Sequence, residues 1–126
     1  MTFDYWCVFV AFLLPYLLVG IAKGSGADYD NKAPRPFMEK LSGWRKRAYW
    51  AQLNGFEIFA PFAAAVIIAH QLSVNSAILY TLTAIFIISR VLHAIFYITD
   101  QAALRSLAWL IGFLVIIGLF VAAMLY

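Results

Sequence analysis

Four stretches of this chain run from about Phe3 to Ala22, Tyr49 to His70, Val74 to Tyr97 and Leu104 to Tyr126. Each is apolar over the roughly 20 residues that a helix needs to cross a ~30 Å hydrocarbon core. The links between them are unequal. Residues 23–44 form a polar loop in which Gly24, Gly26, Pro34 and Pro36 rule out one continuous helix. Gln71-Leu72-Ser73 and the segment from Thr99 to Ala103 are short turns, so neighbouring helices run antiparallel. The expected fold is an all-α membrane protein, a four-helix up-down bundle forming one domain over residues 1–126. The second helix is expected to begin ahead of its span, near Leu41.

Composition agrees with this class. The 126 residues are 65% hydrophobic and 12% charged, where a soluble domain is nearer half apolar and a quarter charged. The net charge of +3 is not a nucleic-acid footprint, because seven of the nine Lys and Arg residues lie between Lys23 and Arg47. That bias reads as topology: the 23–44 loop is expected on the cytoplasmic side and both termini on the opposite side. The first span lacks a small-residue cleavage signal, which argues against a removable signal peptide. Short loops and small size point to a prokaryotic plasma membrane. Lone Cys7 sits in an apolar run and reads as a packing residue.

Ionisable groups inside a bilayer are costly and mark a site by default. Two clusters stand out. On the second helix Arg47, Trp50, Asn54, Glu57 and Pro61 recur at intervals of three and four and share one face; on the third, Arg90, His93 and Tyr97 do the same. At ~1.5 Å rise per residue, Glu57 and Arg90 reach similar depth, roughly 10 Å inside the cytoplasmic boundary. An interhelical Glu57–Arg90 ion pair is expected, since neither charge could sit there alone. Such a pair by itself could be a structural clasp, and Asn54 an interhelical hydrogen-bonding residue. His93, Tyr97 and Arg105, taken singly, read as a packing residue, an interfacial aromatic and a boundary anchor. Arg45-Lys46-Arg47 reads as a positive-inside run. The argument for a site rests on convergence at one depth.

Arginines with Tyr and Asn suit a small anionic or zwitterionic ligand, because guanidinium binds carboxylates bidentately. Glu57 could accept an ammonium. A cation beside a thiol favours the nucleophilic thiolate, and the bilayer supplies an apolar co-substrate. These fit conjugation of a thiol tripeptide to a lipophilic electrophile. No metal constellation is present, since His70 and His93 lie 23 residues apart at opposite expected depths. There is no phosphate-binding loop and no Gly-x-Ser-x-Gly.

Asn54-x-x-Glu57-x-x-x-Pro61, preceded by Arg47-Ala48, resembles the second-helix motif of the MAPEG superfamily, membrane-associated proteins in eicosanoid and glutathione metabolism. Arg90-x-x-His93-x-x-x-Tyr97 followed by Arg105-Ser106 resembles that family's third- and fourth-helix motif. The resemblance covers nearly the whole chain. It implies homotrimers of four-helix subunits with glutathione bound between subunits on the cytosolic side. Carried over, Gln52, Asn54, Glu57, Arg90, His93 and Tyr97 line the glutathione site. Arg105 stabilises the thiolate with Tyr97, and Ser106 lies adjacent. The sequence departs from the family at Trp50, where an Arg is common; Arg47, one turn earlier on the same face, is a substitute.

The leading expectation is therefore a glutathione-dependent membrane transferase or peroxidase acting on lipophilic electrophiles or lipid hydroperoxides. The Trp50 departure keeps open a non-catalytic lipid- or ligand-binding protein of the same fold. A small multidrug transporter ranks third, because its essential carboxylate must be free and Glu57 is expected to be paired.

Overall fold

The computed structural model describes residues 1–126 and is entirely helical. Its elements are α1 (Phe3–Lys23), α2 (Pro34–Glu39), α3 (Gly43–Gln71), α4 (Ser76–Ile98) and α5 (Ala102–Met124). α1, α3, α4 and α5 are each long and apolar enough to cross a membrane. The 29 residues of α3 span about 44 Å at 1.5 Å each, more than the hydrocarbon thickness, so its basic first turns lie beyond the apolar band. The short helix α2 interrupts what the sequence presents as a loop. Pro34 sits at its first turn, where the fixed φ is already helical and the missing N–H costs nothing.

Two turns end their helices without glycine. After α3, the Ser73 amide donates to the His70 carbonyl at 3.0 Å and the Val74 amide to Ala69 at 3.1 Å. After α4, the Asp100 amide donates to Tyr97 at 3.2 Å and the Gln101 amide to Phe96 at 2.8 Å. Both are Schellman closures, with Ser73 (φ 59°) and Asp100 (φ 62°) in the left-handed region. Asn75 then starts α4, its side chain accepting from the Ala77 amide at 2.9 Å.

α1 packs mainly on α3, and α5 mainly on α4. The centre is formed by Phe62 and Phe86, stacked 3.7 Å apart and both fully buried. Small residues let the helices close around it. A Cβ on Gly55 would meet Pro15 Cγ at 2.9 Å, and one on Gly112 would meet Ser89 Oγ at 3.0 Å. The α1–α3 and α4–α5 contacts therefore need glycine there.

Arg45, Lys46 and Arg47 do more than set topology. Arg45 donates to the Ala22 and Lys23 carbonyls at 2.8 and 2.7 Å, at the end of α1. Lys46 donates to the Met38 carbonyl at 3.3 Å and to that of Glu39, at the end of α2. Arg47 donates to the Ile98 carbonyl at 3.1 Å, at the end of α4. Three consecutive cations thus satisfy the orphan carbonyls, and complement the dipoles, of three helix C-termini. Arg45 also holds Asp28 through contacts of 2.9 and 3.1 Å, which keep that carboxyl below the usual carboxylate range. At the other end of the bundle, Asp4 is fully buried with Oδ2 2.7 Å from His70 Nδ1, a hydrogen-bonding contact the sequence does not announce.

Candidate functional site

A cleft of about 520 Å³ opens between α3, α4 and α5 near the basic-loop end. α3 contributes Trp50, Leu53, Asn54 and Glu57; α4 contributes His93 and Tyr97; α5 contributes Arg105, Ser106 and Trp109. Helical spacing explains the set, since residues three and four apart share a face. The structure thus brings together six of the residues singled out in the sequence: Asn54, Glu57, His93, Tyr97, Arg105 and Ser106. Trp109, one turn beyond Arg105 on α5, completes the cleft wall, and that spacing is the signal in the sequence that marks it.

The expected Glu57–Arg90 ion pair is absent. Asn54 stands between them, its Oδ1 accepting from Arg90 Nη2 at 2.6 Å and its Nδ2 donating to Glu57 Oε2 at 3.3 Å. Similar depth did not bring the charges into contact because Glu57 lies on the exposed side of α3, while Arg90 is 6% exposed. Arg90 does not line the cleft. It stands behind Asn54, with Nη2 3.4 Å from His93 Nδ1 and Nη1 without a partner.

Arg47 and Gln52 also lie outside the cleft. Arg47 is committed to the Ile98 carbonyl, so it does not replace the arginine missing at Trp50. Gln52 points to another side of α3, into a separate cleft of about 390 Å³ that includes Lys23, Tyr29, Arg35 and Tyr49. Gln52 is buried there, and its Oε1 has no hydrogen-bond partner.

Around the main cleft, the Arg105 guanidinium lies over the Tyr97 ring at 4.6 Å, a cation–π contact that fixes the cation over the cavity. Tyr97 is held edge-on by His93 (5.5 Å, 84°) and tilted against Trp50 (6.3 Å, 45°). Arg105 and Ser106 occupy the first turns of α5, whose N-terminal dipole adds partial positive charge at the same place. The cleft therefore has a cationic end at Arg105 and an anionic side at Glu57, with a neutral amide at Asn54. That polarity matches a zwitterionic, anion-bearing ligand.

Fold and site together define a multi-pass integral membrane protein with a polar cleft near one end of its bundle. Comparison with protein families carries this one step further: the MAPEG family model matches residues 3–125, and the chain belongs to that family. Comparison with curated proteins and with solved structures gives no match.

Proposed function

We propose that this protein is a homotrimeric, glutathione-dependent transferase or peroxidase acting on lipophilic electrophiles or lipid hydroperoxides, with the basic loop on the cytoplasmic side. The observation that carries the proposal is the Arg105–Tyr97 pair at the head of α5, facing Asn54 and Glu57 across one cleft. Glutathione carries two carboxylates, an ammonium and a thiol. Arg105 and the α5 N-terminus favour its thiolate, with Tyr97 donating a hydrogen bond to the sulfur. Glu57 takes the ammonium, while Asn54 and Ser106 orient the backbone. The thiolate attacks the electrophilic carbon; a C–S bond forms, and the displaced electron pair leaves with the leaving group or takes up a proton.

Two features support the trimer. Glu57 is exposed in the part of α3 that crosses the membrane, a position that would be costly against lipid. Gln52, buried with a free Oε1, belongs to a second and separate polar cleft. A neighbouring subunit that sets its Gln52 cleft against this Glu57 cleft resolves both and brings Gln52 to glutathione.

The test is turnover of glutathione with 1-chloro-2,4-dinitrobenzene by protein in lipid nanodiscs. Arg105→Leu should lower kcat by about 10²–10³, the usual loss on removing one stabiliser of a reacting anion, with unchanged helicity. Full activity in that variant would refute the role of Arg105. A second reading, ligand binding without chemistry, is favoured by Trp50 standing where an arginine is common and by the commitment of Arg47 to Ile98. It predicts glutathione-dependent stabilisation with no conjugate formed.

A further inference from the structure

The segment from Lys23 to Arg47 carries seven Lys and Arg residues against three carboxylates, an excess of four positive charges. Its cations fall into two groups. Arg45, Lys46 and Arg47 are bonded to the ends of α1, α2 and α4, and Lys23 lies over the Tyr29 ring at 4.1 Å. The carboxylates are taken as well. Asp28 pairs with Arg45 at 2.9 Å. Glu39 pairs with Lys46 at 3.6 Å and accepts from the Tyr49 hydroxyl at 3.0 Å. Asp30 accepts from the Lys32 amide at 2.9 Å.

Lys32, Arg35 and Lys40 are left. All three are exposed, and none forms an ion pair. Lys32 lies two residues ahead of α2, Arg35 in its first turn and Lys40 at its C-terminal cap. At ~1.5 Å rise per residue, Arg35 and Lys40 stand about 8 Å apart along the helix, within one screening length at physiological salt, so their potentials add. The neighbouring chain fixes their depth. α1 ends at Lys23. Trp44, four residues after Lys40 in the first turn of α3, is 48% exposed. An exposed indole at the end of a membrane-spanning helix marks the headgroup region. Topology needs cations on one side of the membrane; it does not need three of them held together at headgroup depth without a partner.

We propose that α2 and its flanks form a docking surface for anionic phospholipids in the leaflet at the basic-loop end, with headgroup phosphates on Lys32, Arg35 and Lys40 and Trp44 anchoring the depth. Juxtamembrane cations of this kind attract anionic lipid additively. The surface is separate from the cleft that holds Arg105 and needs none of the chemistry proposed there. Arg35 also reaches the Gln52 cleft, whereas Lys32 and Lys40 line no part of it, so those two lysines test the surface independently of any role of Arg35 at the cleft.

The test is binding of dioleoyl phosphatidylglycerol, against dioleoyl phosphatidylcholine, to the detergent-purified full chain, read as bound lipid per subunit by native mass spectrometry. The anionic lipid should bind at least about tenfold more tightly, with each cation contributing up to about fivefold. Lys32→Gln with Lys40→Gln should reduce that preference by about fivefold or more, and adding Arg35→Gln should abolish it; all three are exposed, so the fold survives. Lys32→Arg with Lys40→Arg should keep the preference, because only charge is used. Asp30→Asn removes the one carboxylate of the patch that no cation holds, keeps an acceptor for the Lys32 amide, and should strengthen binding of the anionic lipid. Raising NaCl from about 0.1 to 0.5 M should shrink the preference, since exposed charges are screened. Equal binding of the two lipids, or a preference that survives the triple variant, would overturn the surface. So would displacement of the lipid by an equal concentration of glycerol 3-phosphate, which would make it a site for soluble phosphate.

Discussion

Replacing Asn54 by Leu tests how the bundle carries its buried charge. Asn54 gives Arg90 its one short acceptor, at 2.6 Å. Arg90 is nearly fully buried, and its other terminal nitrogen is already unpartnered. Hydrogen bonds to charged groups contribute about 1.5–3 kcal/mol in soluble proteins, whereas interhelical bonds in membranes average about 0.6 and reach about 1.7. The ranges overlap near 1.5 kcal/mol, and burial of Arg90 puts this bond at that upper membrane value. Asn54→Leu should therefore cost about 1.5 kcal/mol, roughly tenfold in the unfolding equilibrium. The bond from Asn54 to Glu57 adds little, since Glu57 is exposed and 3.3 Å away; Glu57→Gln should cost under about 0.5 kcal/mol. The assay is reversible unfolding in mixed micelles without glutathione. Equal losses for the two variants would mean that Glu57 neutralises Arg90 directly, and an unchanged Asn54→Leu would mean that Arg90 is solvated by another route.

Three further perturbations probe the frame of the site. Gly55→Ala places a Cβ 2.9 Å from the Pro15 ring; about 1–3 kcal/mol of overpacking set against ~1 kcal/mol of helix propensity predicts a net loss, whereas Gly20→Ala, with nothing within 4 Å, should stabilise in the same unfolding assay. His70→Ala leaves the fully buried Asp4 without a partner and should cost about 3–5 kcal/mol, more than Asp4→Asn, because His70 is a third exposed and can turn to water; thermal denaturation in detergent ranks the two. The depressed Asp28 carboxyl contributes order to the loop above its unfolded value near 4, and that contribution is lost as pH falls through the lower folded value. Proteolysis of residues 24–33 by an acid protease should thus accelerate as pH drops below about 4, and Asp28→Asn should be cleaved fast throughout.

Much of the architecture was legible because the bilayer leaves few options for four apolar stretches joined by two short links. The helix-face arithmetic put Asn54 with Glu57 and His93 with Tyr97, the family resemblance added Arg105 and Ser106, and all six line one cleft. What it could not supply was azimuth between helices. Glu57 and Arg90 share a depth, yet Asn54 separates them, and Gln52, two residues before Asn54, faces another cleft altogether. The Arg45-Lys46-Arg47 run was readable as topology, but its capping of α1, α2 and α4 depends on where three distant helix ends meet. The turns at Ser73 and Asp100 carry no glycine to mark their left-handed residues.

The central claim is that the Asn54–Tyr97–Arg105 cleft is a glutathione site, and isothermal titration of glutathione into detergent-purified protein tests it most directly. The account predicts saturable binding in the millimolar range or tighter that Arg105→Leu and Asn54→Leu each weaken by about tenfold or more, while Arg47→Ala, tied to the end of α4, leaves the affinity nearly unchanged. Binding that depends on Arg47 and is indifferent to Arg105, or no binding at millimolar glutathione, would contradict it.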